Sequence, residues 1–390
     1  MSIKAGAGLS RLPDSRKAVR EVIPEAMAEA GLDRAEWAAC FFSMAHQPQA
    51  EMLREVILRE TGCRAFFGCS AAGLIGGAEE VEAGPGLVLM VGSGSGIQVR
   101  SAMLTQEAEG LAGLVPADIR QGDESLLFLL PDAYRVDAAV LLAKVRSEWP
   151  GLSLYGAGAT DNGTTGWSLQ MSMEGVSSNA VAALSISGEL DYAVGITQSC
   201  APVGDPHFIT AARDNVILEL DGRPAIHVYM EQGEALRLDD FQQLVGEVLL
   251  GFPLESVNPS FNGESCLVRH LVGFDQQSGG LVVPQQLEGQ GAMVFMHRNP
   301  EAAEQDMRRM AARLKKRFAG PPDFGFYFDC AARGQRLYGR EGVDARVIRE
   351  EIGEFPLIGM LGGFELATSS GRPLMYTYTG VLVLIRGRAA

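Results

Sequence analysis

The chain repeats one short pattern three times: an apolar run, a helix-like stripe, a second apolar run and a glycine-rich loop. First, Ala39-Cys40-Phe41-Phe42 precedes a stripe of Met52, Leu53, Val56 and Ile57, then Ala65-Phe66-Phe67 and the loop Gly68-Cys69-Ser70-Ala71-Ala72-Gly73-Leu74-Ile75-Gly76-Gly77. Next, Leu126-Leu127-Phe128-Leu129-Leu130 precedes Val136, Val140, Leu141 and Val145, then Leu154-Tyr155-Gly156-Ala157-Gly158-Ala159-Thr160-Asp161. Last, Phe324-Gly325-Phe326-Tyr327-Phe328 precedes Ala345, Ile348 and Ile352, then Leu357-Ile358-Gly359-Met360-Leu361-Gly362-Gly363-Phe364-Glu365. Each instance closes on another apolar run, Leu87 to Val91, Ala182 to Ile186 and Val381 to Ile385. From Phe41 to Gly68, Phe128 to Gly156 and Phe328 to Gly359 the spacings are 27, 28 and 31 positions. An apolar strand needs a helix or a neighbouring strand to cover it, so one supersecondary unit, strand-helix-strand-glycine loop-strand, is reused. The expected class is α/β, with α+β as the alternative, in two mixed-sheet subdomains covered by helices.

At 390 residues the chain exceeds the usual single-domain size, so two domains are expected. Glycine is the compositional outlier, 47 residues against the usual share of about 7%. A net charge of −15, with no Lys/Arg cluster, disfavours nucleic acid as a partner. No run has the length of a membrane span, and the first residues lack a signal-peptide core, so the expectation is a cytoplasmic protein with no membrane partner. Six cysteines form no C-x-x-C pair and are expected as free thiols.

Along the chain, residues 1–35 are expected to form a covering helix capped by Ser15, kinked at Pro24 and stopped by Gly31. A connector follows the first unit, and the second begins near Glu124. Strands through Leu220, including a hairpin around Asp214-Asn215, are expected to extend the second sheet. The turn Asp221-Gly222-Arg223-Pro224 marks the expected boundary between domains 36–222 and 223–390, and residues 233 to 262 read as weakly structured.

Familiar catalytic patterns fail. No lysine follows Gly73 as a P-loop requires, Asp161 stands where a dinucleotide fingerprint needs its third glycine, and the elbow-like Gly68-Cys69-Ser70 has its closing glycine displaced. The five histidines form no zinc-helix pair, though a single axial haem ligand needs no spacing motif. The ligand candidates are polar residues in loops after strands, where open sheets bind ligands: Cys69, Ser70, Asp161, Cys330, Arg333 and Glu365. Arginine can clamp a carboxylate, and Asp or Glu an ammonium, which together suit an amino-acid-like zwitterion. A cysteine-dependent enzyme, with Cys330 or Cys69 activated beside Arg333, is a further alternative, supported by no motif.

The order Gly68-Cys69-Ser70-Ala71-Ala72-Gly73, Glu79-Glu80-Val81-Glu82-Ala83-Gly84-Pro85, Cys200-Ala201-Pro202-Val203-Gly204, Glu219-Leu220-Asp221-Gly222-Arg223-Pro224-Ala225, Val268-Arg269 with Gly273-Phe274-Asp275, and Phe328-Asp329-Cys330-Ala331-Ala332-Arg333-Gly334 resembles the FIST family over nearly the whole chain. The resemblance implies tandem N-terminal and C-terminal FIST domains. It also implies a sensory, small-molecule-binding role in bacterial signal transduction with no catalysis. It brings Cys69, Cys200, Arg269, Cys330, Arg333 and Glu365 forward as recurring residues, while Gly363-Phe364-Glu365 departs from a usual Asn-Gly-Glu and Tyr376 stands where histidine is frequent. No cofactor is expected. The alternative the resemblance implies is a haem b nitric-oxide sensor acting on a histidine kinase, with His270, His227, His297 or His207 as axial ligand. The expected partners are a small molecule and a histidine kinase or other signalling protein.

Overall fold

A computed structural model describes residues 3–107, 110–112, 125–149, 151–238, 240–255, 261, 265–287, 291–318 and 320–388. By compactness the chain forms two units, Met1–Ile196 with Met307–Ala390, and Thr197–Asp306. The boundary expected at residue 222 therefore falls inside the smaller unit, and the expected connector lies partly outside the described residues.

Residues 1–35 hold a strand before their helix: β1 (Ile3–Ser10), then α1 (Ser15–Ala30). Asp14, not Ser15, caps α1, accepting from Arg16 N and Lys17 N, while the Ser15 hydroxyl bonds His46 Nδ1 at 2.8 Å. Gly31 closes the helix at φ 61°, a left-handed conformation that glycine adopts without a Cβ penalty. The first repeat is β2 (Trp37–Phe42), α2 (Ala50–Thr61), β3 (Ala65–Ser70), β4 (Gly73–Gly76), β5 (Glu79–Val81) and β6 (Leu87–Gly94). After β7 (Ile97–Glu107) and β8 (Gly110–Ala112), the second is β9 (Ser125–Pro131), α3 (Ala138–Glu148), β10 (Ser153–Ala157), β11 (Gln170–Ser172), β12 (Val176–Ser177) and β13 (Ala180–Gly188), with β14 (Leu190–Gln198) beyond.

The smaller unit carries β15 (Cys200–Arg213), β16 (Val216–Leu220), β17 (Arg223–Pro224), α4 (Ala225–Leu236), α5 (Phe241–Glu247), β18 (Val248–Pro253), β19 (Cys266–Arg269), β20 (Gly273–Phe274), β21 (Leu281–Val282) and β22 (Ala292–Arg298). Its antiparallel sheet runs β19-β18-β22-β15-β16-β21-β20. The β15–β16 hairpin turns at Asp214 as expected, but it joins this sheet rather than extending the second one. Part of the stretch expected to be weakly structured forms α5 and β18, and β18 is buried throughout.

The third repeat follows α6 (Pro300–Lys315): β23 (Phe324–Cys330), α7 (Gln335–Tyr338), α8 (Val343–Ile352), β24 (Leu357–Gly362), β25 (Glu365–Ser369), β26 (Arg372–Tyr376) and β27 (Thr379–Gly387).

Each repeat pairs its first two strands in parallel, β2 with β3, β9 with β10 and β23 with β24, and adds its last strand antiparallel to the first. The glycine loop then carries the next strand into a different sheet. β4 pairs with β24, β11 with β3, and β25 with β10, so the three sheets of the larger unit exchange strands in a closed ring. Phe41, Phe67, Phe128, Phe326 and Phe328 meet where those sheets face one another, with ring centroids 4.9 Å apart for Phe128–Phe326 and 6.0 Å for Phe67–Phe326. Such pairs add about 0.5–1.5 kcal/mol each beyond their burial. On the outer faces, α1 and α2 cover the first sheet, α3 the second, and α6 with α8 the third. The α/β class with mixed sheets is as expected, though the described residues form four sheets.

Candidate functional site

The C-terminal ends of the three parallel pairs meet because the crossing loops bond to one another. Ala72 N donates to Leu361 O at 3.1 Å, Gly158 N to Phe364 O at 2.9 Å, Gly363 N to Gly158 O at 2.9 Å, and Ser70 N to Leu169 O at 2.9 Å. This edge of an α/β sheet is the usual ligand side.

In the first loop, Ser70 Oγ accepts from Leu169 N at 3.0 Å, and Cys69 Sγ lies 3.4 Å from Met360 Sδ, both residues buried. In the second, burial alone would raise the Asp161 carboxyl. The Tyr134 hydroxyl, Thr165 and the backbone N–H groups of Gly163, Thr164 and Gly166 all donate to it and hold it below the ordinary carboxylate range. Asp161 is thereby the internal tie of its own loop. In the third, Glu365 is fully buried: its Oε2 accepts from Thr379 Oγ1 at 2.6 Å and Thr379 N at 3.2 Å. Among the described residues no hydrogen-bond donor reaches Glu365 Oε1, and the weakly donating Cys330 thiol acts on the carboxyl as a whole. Burial pushes the Glu365 carboxyl up to about 8, against Thr379, Arg333 and Cys330. Tyr376 is its buried antiparallel partner across β25–β26, and Tyr378 beside Thr379 has φ 61°, a left-handed backbone that non-glycine residues seldom hold.

Arg333 is also fully buried. Its Nε lies 2.9 Å from Asp329 Oδ1, and its Nη2 donates to Asp344 Oδ2 at 2.7 Å and to the Tyr338 hydroxyl at 2.9 Å. Burial alone would lower it, but Asp344, Tyr338, Tyr327 and Asp329 outweigh that and keep it charged. Its position is that of an internal counter-ion, since three side chains already hold its donors. Around it, carboxylates exceed cations. Glu80 of β5 accepts from Gly342 N and Ala345 N, both at 2.9 Å, supplying the cap that the start of α8 lacks, and Glu82 accepts from Gln335 N at 2.8 Å. Burial, reinforced by Asp344, pushes Glu80 up to about 7, and burial does the same to Glu82. Burial also pushes Asp329 well up, and its Oδ2 accepts no hydrogen bond from the described residues.

Of the candidates, Cys69, Ser70, Asp161, Cys330, Arg333, Glu365 and Tyr376 lie in the larger unit. Arg269 lies in the smaller one, on β19, donating to Val268 O at 2.9 Å. The four haem candidates also belong to the smaller unit: His207 bonds Asp221 at 2.7 Å, His297 lies 3.7 Å from Glu247, and His227 and His270 are exposed. Burial pushes the Cys69 and Cys330 thiols well up, the reverse of what an activated thiolate needs. Sequence reasoning missed Glu80, Glu82, Asp329, Asp344 and Thr379 as members of this centre. The one available signal was alternation along β23, which puts Asp329 on the face of Tyr327 and opposite Cys330. Among the described residues, no group of three or more His, Cys, Asp or Glu could hold a metal.

Comparison with known proteins finds two family models in tandem, meeting at the turn Asp221 to Pro224 that was expected to divide the chain. A model of the FIST N domain matches residues 36–223, and a model of the FIST C domain matches residues 225–368. The chain is similar to an uncharacterized protein of Mycobacterium tuberculosis strain H37Rv, 26% identical over 383 residues that cover 98% of this chain and 99% of the relative. It is equally similar to an uncharacterized protein of Mycobacterium bovis, 26% identical over 386 residues that cover 98% of both.

Proposed function

The chain belongs to the FIST family, whose domains are sensory modules of signal transduction, and on that premise we propose that it is a cytoplasmic receptor for an amino-acid-like small molecule. It acts without catalysis, and a separate signalling protein such as a histidine kinase reads its state. The observation that carries this is a buried polar centre in the third repeat, beside crossing loops that bond to one another, with an acceptor, Glu365 Oε1, left without a strong donor. An amino acid's ammonium is a donor of the kind that centre lacks. No helix among the described residues is long and apolar enough to cross a membrane.

A thermal-shift screen of the twenty amino acids, related amines and general metabolites tests the proposal. A ligand at one hundred times its Kd stabilises by about 2.7 kcal/mol, which is readily measured. Stabilisation by one chemical group of compounds is the expected result. A flat screen, or a Soret band appearing on haem reconstitution with no amino-acid response, counts against it.

A further inference from the structure

Resting on that sensor assignment, we propose that Glu365 is the seat of the ligand's ammonium group, and that binding there expels a proton.

The geometry comes first. Glu365 stands on β25 at the place where the third crossing loop enters the second sheet, paired with Ala157 on one side and Tyr376 on the other. Thr379 saturates one carboxylate oxygen and leaves the other without a strong donor, although the side chain is fully buried. An unmatched buried acceptor is destabilising, more so when charged, and a hydrogen donor relieves it. Thr377 and Tyr378, next to Thr379 in the chain, are half-buried, and Tyr378 holds a left-handed backbone that non-glycine residues seldom adopt.

The charge balance selects the class of occupant. Asp329, Asp344, Glu80 and Glu365 are all buried, and Arg333 is the one guanidinium whose charge reaches Glu365 among its principal influences. The groups that act on the Glu365 carboxyl are Thr379 from β27, Cys330 from β23 and Arg333 from the loop after β23, and Glu365 in turn raises Asp329 on β23. An occupant of net negative charge is disfavoured by that surplus, and among the described residues no group of three ligating side chains offers a metal site. A monovalent N–H donor at Glu365 satisfies both the charge and Oε1 of that residue. Without a ligand, a proton does the same. In the exchange, the neutral carboxylic acid of Glu365 and an incoming alkylammonium cation become a carboxylate–ammonium pair and one proton released to solvent. One positive charge enters and one leaves, so the interior keeps its net charge. Because Arg333 is already held by Asp329, Asp344 and Tyr338, the ligand's carboxylate is not its partner, and simple amines should suffice to occupy the seat.

The test uses the full chain with ethylammonium chloride, a neutral amino acid such as alanine, and potassium propionate as the control without an amine. Calorimetric titration at pH 7.5 in two buffers of different ionisation enthalpy counts protons. The expected result is binding of ethylammonium and alanine but not propionate, with release of a fraction of one proton that shrinks to zero above pH 9. Glu365→Gln should weaken both by more than tenfold. In parallel, the carboxyl carbon resonance of Glu365 in the unaltered protein should titrate well above an ordinary glutamate and move to lower pH with ethylammonium, so misfolding of the variant does not decide the matter. A normal Glu365 titration, zero proton release at pH 7.5, or undiminished binding by a folded Glu365→Gln protein overturns the ammonium seat. Alanine binding equally well to that variant leaves the sensor assignment intact while the seat falls. Ethylammonium binding with proton release, in a protein that no metabolite stabilises, keeps the seat and removes the sensor assignment.

Discussion

Glu80 illustrates how a single residue's burial sets a property of the fold. Its carboxylate caps α8 through Gly342 N and Ala345 N, yet burial holds its proton up to about 7, against 4.5 for the ordinary group, so the folded chain binds that proton more tightly than the unfolded one. The stability contributed by this difference is full below pH 4.5 and lost as pH rises through about 7, and Glu82, shifted the same way, acts in the same window. Urea midpoints measured across that window should therefore fall with rising pH. Glu80→Gln should flatten the slope, because the amide cannot ionise in either state. At this scale the sequence made Arg333 legible as a cation at a strand end. It could not reveal that Asp344, on α8, takes up that charge, because a counter-ion is defined by position and not by residue type.

At the scale of the element, the recurring glycines have a steric cause. Gly68, Gly156 and Gly359 occupy the same place in the three repeats, on the second strand of each parallel pair, facing Cys40, Leu129 and Tyr327 of the first. A Cβ at any of the three would lie 2.0–2.2 Å from the partner's carbonyl oxygen. Gly359→Ala should accordingly lower stability by about 1–3 kcal/mol, read as a drop in melting temperature. Gly175→Ala, with open space around it, should stay within about 0.5 kcal/mol of the parent. Spacing thus exposed the repeat reliably. The short strands β4, β11 and β25 escaped assignment to a sheet, because three to five residues carry no period that names a partner.

For the whole molecule, the ring of exchanged strands predicts how the chain can be cut. A fragment ending at residue 222 loses β24, the partner of β4, and β25, the partner of β10. Its bared strand edges should make it aggregate in gel filtration. Cooperative unfolding of residues 3–196 together with 307–388, followed by hydrogen exchange, should appear as one transition. Independent exchange of the third repeat would contradict the ring.

Strand, helix and glycine loop, their threefold recurrence and the family were all settled by local patterning, since side-chain period and backbone sterics act over a few residues. The sheet each strand joins after its loop, the internal pairing of Arg333 and the orphan oxygen of Glu365 were decided by tertiary structure alone. Each depends on groups brought together across hundreds of positions, as when Leu361 receives Ala72, and on a burial that exists only once the core has closed.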